Sequence, residues 1–266
     1  MKNLLSSLFL LIYFISFSQT KVVSWNIENL GKSKSPAVLN FIAETVFSYD
    51  IVVIQEVVAG PGGAQSVAKL ASILNNKGSK WDYIISDPTT SSSYKRERYA
   101  YIWKTNKAKL KEKWLEKKLN LEIDREPYYA TFEINKKSIT LANFHAITKS
   151  RQPETEIKYF KFLPEQYPQH NLVFLGDFNC PETHTVFNPL KKMGFSALLK
   201  GQKTTLKQKC RNNVCLASEF DNVFYKADRL NIKSSGVILF YNKFNSLQEA
   251  RKISDHIPVW FEFTLN

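Results

Sequence analysis

Beyond residue 18 the sequence lacks any apolar run long enough to cross a membrane as a helix, which takes about 20 residues, and it contains no internal repeat. No linker-like stretch divides it, so residues 19–266 are expected to form a single domain. Cysteine is scarce: three residues allow at most one internal bridge. Acidic residues are the minority, 24 against 37 Lys and Arg, giving a net charge of +13 and a pI near 9.5. That balance excludes an acidic surface and implies attraction to a polyanion, whether nucleic acid, an anionic membrane or an acidic polymer. The lysines are spread out, as in Lys107 to Lys118 and Lys200 to Lys209, and each run taken alone reads as a solvated surface.

What is present is core-forming material. Hydrophobic residues make up 44% and aromatics 14% of the chain, ample for packing and too much for disorder. At the N-terminus Lys2 precedes an apolar stretch from Leu4 to Phe17, and Ser16-Phe17-Ser18 places small residues where a signal peptidase cuts. The expectation is a secretory leader over residues 1–18 and a secreted or periplasmic mature protein. Gln19-Thr20-Lys21 ends the apolar run early, which disfavours a retained anchor. Export makes a disulfide readable. Cys210 and Cys215 bracket the turn-like Arg211-Asn212-Asn213-Val214, leaving Cys180 over; a bridge from Cys180 to either, or three unpaired thiols, are the alternatives.

Lys21 to Asn26 reads as a strand, and Ser35-Pro36 as a cap and first turn ahead of Val38, Phe41, Ile42 and Val46 at helical spacing. Ile51 to Gln55 reads as a strand buried on both faces. Val67, Leu70, Ala71 and Leu74 mark a second helix, followed by strands near Trp81 to Ser86 and Tyr99 to Lys104. Tyr128 to Ile134 and Ser138 to Phe144 form strands joined by a turn at Asn135-Lys136-Lys137. A helix over Pro153 to Gln166 and strands at Leu172 to Leu175, Asn222 to Tyr225 and Pro258 to Phe263 complete the pattern. Strands and helices alternating in both halves predict two sheets packed face to face with helices outside.

Polar residues with chemical capability sit at the ends of these strands: Asn26, Glu56, His145, Asp177 with Asn179, and Asp255-His256. Ligands bind at strand ends in open sheets, so the set can converge on one site. Each residue alone has a structural explanation as a turn former, surface charge or satisfied core histidine. Oxygen donors suit a hard cation, and imidazoles suit proton transfer near neutrality.

Four segments, Trp25-Asn26-Ile27-Glu28, Ile54-Gln55-Glu56-Val57, Gly176-Asp177-Phe178-Asn179 and Ser254-Asp255-His256-Ile257-Pro258, resemble in this order the endonuclease/exonuclease/phosphatase superfamily. Tyr94 to Tyr99, Asp124-Arg125-Glu126-Pro127 and Ile253 to His256 are similar to segments of its deoxyribonuclease I branch. The resemblance implies a four-layer α/β/β/α sandwich and a secreted, metal-dependent endonuclease. It would act on double-stranded DNA with little sequence specificity, leave 5′-phosphate and 3′-hydroxyl ends, and work as a monomer without stable membrane association.

Residue by residue, the resemblance implies that Glu56, Asn26, Asp177 and Asp255 hold Mg²⁺ or Mn²⁺. His145 and His256 form an acid and base pair, His256 as base, oriented by Glu97 and Asp221 respectively. Arg125 and Asn179 bind the scissile phosphate, and Tyr94 is a candidate DNA contact.

The departures are informative. Val58 stands where the branch has an arginine that enters the minor groove, and the Tyr94 to Tyr99 segment is one residue longer. Lysine-rich Leu110 to Leu121 replaces an acidic loop, which weakens the case for a structural Ca²⁺ site. A sphingomyelinase-type phospholipid phosphodiesterase is the runner-up, with Val237 to Phe244 as a membrane-touching hairpin, although a buried strand and turn explains that stretch better. A noncatalytic adhesin or toxin subunit has no need for the full polar set.

Overall fold

The structure, a computed structural model, describes residues 19–91 and 96–266; the leader expected over residues 1–18 and Tyr94 lie outside them. Strand β1 (Thr20–Leu30) leads to helix α1 (Pro36–Val46), β2 (Ile51–Val58), α2 (Pro61–Asn75), β3 (Trp81–Ile85) and β4 (Glu97–Lys104). Then come β5 (Lys109–Leu115), β6 (Tyr128–Ile134), β7 (Lys137–His145), short helices α3 (Glu154–Ile157) and α4 (Leu163–Gln166), and β8 (Leu172–Asp177). The last third adds α5 (Asn188–Lys192), β9 (Phe195–Ala197), β10 (Leu206–Arg211), β11 (Val214–Leu216) and β12 (Asp221–Lys226). It closes with β13 (Leu230–Val237), α6 (Leu247–Ala250) and β14 (Val259–Leu265).

The strands make two six-stranded sheets, β13-β14-β1-β2-β4-β3 and β5-β6-β7-β8-β12-β9. Both are mixed: β1 runs parallel to β2 and β7 parallel to β8, each followed by antiparallel neighbours. The period-2 alternation of side chains sorts the core into three clusters. Val23, Trp25, Val52 and Ile54 pack outward against Leu39, Ile42, Leu70 and Leu74 of α1 and α2. Val22, Ile51, Val53, Val173 and Leu175 fill the space between the sheets. Leu172 and Phe174 face Ile157, Leu163 and Leu190 on the far side. These clusters separate four layers, the expected α/β/β/α sandwich. Central strands are apolar on both faces because both are covered.

Local chemistry explains the ends of several elements. Ser35 caps α1 by accepting from Val38 N, with Pro36 in the first turn where its missing N–H costs nothing. Gly176 lies at φ +133°, and a Cβ there would sit 2.0 Å from Phe144 O, so β8 approaches β7 more closely than any side chain permits.

The structure corrects two expectations. The helix expected over Pro153 to Gln166 is broken into α3, a 3₁₀ segment (Lys158–Phe162) and α4; Pro164 falls in the first turn of α4, where proline is tolerated. Val237 to Phe244 is neither a continuous strand nor a projecting hairpin. It leaves β13 at Val237 and turns through Phe240–Lys243, with Phe240 buried against Trp25 and Phe41. The lysine-rich Leu110 to Leu121 stretch includes β5, an edge strand whose charges discourage pairing with other chains. Cys210 and Cys215 are bonded, and Cys180 is free and buried.

Candidate active site

All the sequence-predicted site residues that the structure describes lie at one end of the sandwich. Asn26 comes from β1, Glu56 from β2, Glu97 from the start of β4, His145 and Asp177 from the ends of β7 and β8, and Asp221 from the start of β12. Asp255 and His256 immediately precede β14. Glu56, His145, Asp177, Asn179, Asp255, His256 and Arg125 line one cleft of about 550 Å³.

Glu56 owes its placement to a break in the sheet. The β1–β2 register shifts between Asn26 and Leu30, and the β2–β4 register between Ile54 and Val57. Such irregularities re-aim side chains. Glu56 adopts φ +59°, and its carboxylate accepts from Asn26 Nδ2 (2.9 Å) and Asn29 N (3.2 Å). The same Asn26 amide donates to Asp177 Oδ2 at 3.1 Å. Asn179, at φ +47°, returns its own N–H to Asp177 Oδ1 (2.8 Å) and its amide to Ala146 O (3.0 Å).

Each histidine is held by a carboxylate from the opposite sheet. Glu97, on the β1-containing sheet, meets His145 Nδ1 at 2.9 and 3.0 Å, although His145 ends β7 of the other sheet. Asp221, on β12, meets His256 Nδ1 at 2.7 Å from across the same gap. Both Nε2 atoms converge on Asp177 Oδ2, at 3.4 Å from His145 and 3.6 Å from His256.

Electrostatics give the rings opposite characters. Burial, reinforced by the Arg125 cation, lowers His145 to about 4 against the attraction of Asp177 and Glu56. Burial also works against the His256 imidazolium, but Asp221, Asp177 and Asp255 outweigh it and raise His256 well above the ordinary histidine range. Burial pushes Glu97 up to about 7, opposed chiefly by Arg125. In the metal-free site the surroundings therefore favour the neutral form of His145 and the charged form of His256.

The donor set fits a hard divalent cation. Asn26 Oδ1 is buried with no hydrogen-bond partner while its amide nitrogen bridges two carboxylates, so an oxygen ligand lies beside Glu56 and Asp177. Asp255 lines the same cleft but is drawn toward Arg251, 3.3 Å from its Oδ2. Oxygens of Asp177 and Asp221 and a His256 nitrogen also lie within 4.8 Å of one another. Asp221 Oδ2 there already holds His256 Nδ1 and accepts from Thr204 Oγ1, which makes the Asn26, Glu56 and Asp177 side the better seat.

Arg125 occupies the cleft in a more committed state than the sequence suggests. Its guanidinium donates to His145 O (3.0 Å) and Ala146 O and lies 3.4 Å from Glu97 Oε2, bracing the His145 strand end. Sequence reasoning missed the hydroxyls that frame the site. Thr204 Oγ1 donates to Asp221 Oδ2 (2.6 Å) and accepts from Phe220 N and Asp221 N. Tyr99 OH joins Arg125 O to His145 N, each at 3.1 Å. Ser254 Oγ donates to Asn26 O (2.6 Å) and accepts from His256 N (3.0 Å). Ser254 and Tyr99 were visible inside their motifs, though without a role; Thr204 carried no signal, since its contacts depend on how two loops meet.

With this fold and constellation, the chain belongs to the Endonuclease/Exonuclease/phosphatase family, whose profile matches residues 23–256. Among curated proteins it is similar to pig (Sus scrofa) deoxyribonuclease-1-like 1, 26% identical over 251 residues covering 88% of this chain and 77% of that one. Bovine (Bos taurus) deoxyribonuclease-1 is 28% identical over 173 residues, 60% of each chain. Among solved structures, the human nocturnin catalytic domain superposes with a TM-score of 0.65 at 16% identity, covering 93% of this chain and 95% of that one. A Bacteroides thetaiotaomicron mannosyl-6-phosphatase does so with 0.65 at 19%, covering 92% and 99%. At these identities the superpositions establish the fold.

Proposed function

We propose that the protein is a secreted, divalent-metal-dependent endonuclease that hydrolyses phosphodiester bonds of double-stranded DNA with little sequence specificity. The observation that carries this reading is the pair of carboxylate-held histidines aimed at one point beside Asn26, Glu56 and Asp177. In-line displacement at phosphorus needs a proton acceptor for water and a proton donor for the leaving 3′ oxygen on opposite sides. The surroundings push the two imidazoles in opposite directions, His145 toward the neutral form and His256 toward the charged one, which suits one acceptor and one donor. Water, passing its proton to one ring, attacks phosphorus and forms the new P–O bond as P–O3′ breaks, and the other ring protonates the departing 3′ oxygen, leaving 5′-phosphate and 3′-hydroxyl ends. Asn26, Glu56 and Asp177, with Asp255 nearby, would hold Mg²⁺ or Mn²⁺, which would neutralise charge developing on the phosphate.

Glu97 and Asp221 fix the ring tautomers by accepting at Nδ1, leaving each Nε2 toward the substrate. Asn179 and Arg125 line the wall where the phosphate would lie. The Cys210–Cys215 bond accords with export. The names of the deoxyribonuclease relatives and the net charge of +13 favour DNA over other phosphoesters.

The test is incubation of purified mature protein with supercoiled plasmid and, in parallel, sphingomyelin, under Mg²⁺, Mn²⁺ or EDTA. Plasmid nicking that EDTA stops and Mg²⁺ restores is expected. Turnover of sphingomyelin with intact plasmid would overturn the reading.

A further inference from the structure

One basic feature is built into the site's edge: the β10–β11 hairpin, whose residues 206–216 include no Asp or Glu. Its root is tied to the His256 half of the site. Thr205 bridges His256, Leu206 N donates to Asp255 O (2.7 Å), and Ile257 N donates to Thr204 O (2.8 Å). Arg251 spans Leu206 O (2.9 Å) and Asp255 Oδ2 (3.3 Å).

Beyond the root, the hairpin is irregular and braced. Leu206 pairs with Leu216 and Arg211 with Val214, so residues 207–210 lie opposite Cys215 alone. A bulge of this kind turns side chains off the regular alternation. It delivers Lys207 and Gln208 to the wall of the cleft. The Cys210–Cys215 bond closes the bulge directly behind a tip where Asn212 and Asn213 both have positive φ, as a tight two-residue hairpin requires. Lys207, Lys209 and Arg211 form no ion pair among the described residues. Three like charges on one braced hairpin repel one another unless an anion with repeating charges lies against them.

We propose that the β10–β11 hairpin is a phosphate rail: Lys207, Lys209 and Arg211 bind successive backbone phosphates of a polynucleotide on the His256 side of the bond being cut. The inference rests on the nuclease reading and narrows it, because of the three side chains only Lys207 lines the cleft, so a small phosphoester there meets one charge of the rail and a polynucleotide all three. The Lys200 to Lys209 run, a plain solvated surface in sequence, thus divides into bystanders and a substrate contact.

The test compares wild-type protein with a Lys207→Gln, Lys209→Gln, Arg211→Gln variant in plasmid nicking from 20 to 200 mM salt, conditions chosen for a wide lever arm. A control variant removes three charges at the opposite end of the sheets, Lys136→Gln, Arg229→Gln, Lys233→Gln. Each phosphate contact contributes about 0.9 to the slope of log affinity against log salt, so the rail variant should lose about 2 to 3 of that slope, with KM for plasmid raised roughly ten-fold or more. Its loss on bis(4-nitrophenyl) phosphate should be at least ten-fold smaller. Lys209→Gln with Arg211→Gln, both at exposed positions, should give about two thirds of the slope change. Equal salt slopes for the rail and control variants would overturn the proposal by assigning the effect to overall charge. If wild-type protein cleaves a small phosphodiester but no polynucleotide, the nuclease reading falls and the rail with it.

Discussion

Asp221→Asn removes one negative charge from the cross-sheet contact while keeping the side chain's size. Asp221 Oδ2 takes a 2.7 Å contact from His256 Nδ1 and a 2.6 Å bond from Thr204 Oγ1, with the side chain only 5% exposed. A buried hydrogen bond to a charged group contributes about 1.5–3 kcal/mol net, so chelated protein should lose about that much stability. The loss should depend on pH. Asp221 helps to raise His256 above its unfolded value of about 6.5, so the stability from that proton is fully present below about pH 6.5 and fades as pH rises through the folded value. The gap between wild type and Asp221→Asn, measured by urea unfolding in EDTA, should therefore be widest near pH 6 and narrow toward pH 9. In Mg²⁺, an amide that cannot hold the ring in its working tautomer should cut plasmid nicking by about 10²- to 10⁴-fold. A variant within about three-fold of the wild-type rate, with a superimposable pH profile, would refute the role given to this carboxylate.

Thr204→Val should cost about 1–3 kcal/mol in urea unfolding, because the N–H groups of Phe220 and Asp221 lose their shared acceptor. Gly176→Ala should cost about 4 kcal/mol or more, or prevent folding, since Cβ would meet Phe144 O at 2.0 Å; circular dichroism during thermal melting reads this directly. Lys34→Met should lower activity although it replaces no residue of the cleft. The buried ammonium donates to Lys252 O (3.1 Å) and Ile253 O (2.8 Å), fixing the turn that delivers Asp255 and His256, and their loss should cost about 1–3 kcal/mol. His145→Ala and His256→Ala should each reduce nicking by orders of magnitude with melting curves that remain cooperative, and a nearly active His256→Ala protein would remove that ring from the chemistry.

The site was legible in sequence because each of its principal residues ends or precedes an apolar run. Ile51 to Gln55 announces Glu56, and Leu172 to Leu175 announces Asp177, since buried strands need unbroken apolar side chains and their ends do not. The layers followed from the same alternation. What escaped detection had no such contrast. Strand β5 is an exposed edge with a lysine-rich sequence, and β10 is a charged bulge whose shape depends on a disulfide. Thr204 reaches Asp221 across a separation of 17 residues, through a hydroxyl that any loop threonine carries. The broken helix between Pro153 and Gln166 has helical periodicity overall, and the local switches to 3₁₀ geometry fall below that period.

The crossing of the two carboxylate–histidine pairs between sheets has a consequence for how this molecule would fail. Neither sheet owns a complete half of the chemistry: Glu97 without β7, or Asp221 without the segment before β14, orients nothing. A shift of about 1 Å of one sheet over the other would separate both pairs at once while leaving every ladder hydrogen bond within the sheets intact. Turnover is thus a gauge of sliding between the two sheets. As denaturant rises, it should disappear before the far-ultraviolet signal of the strands does.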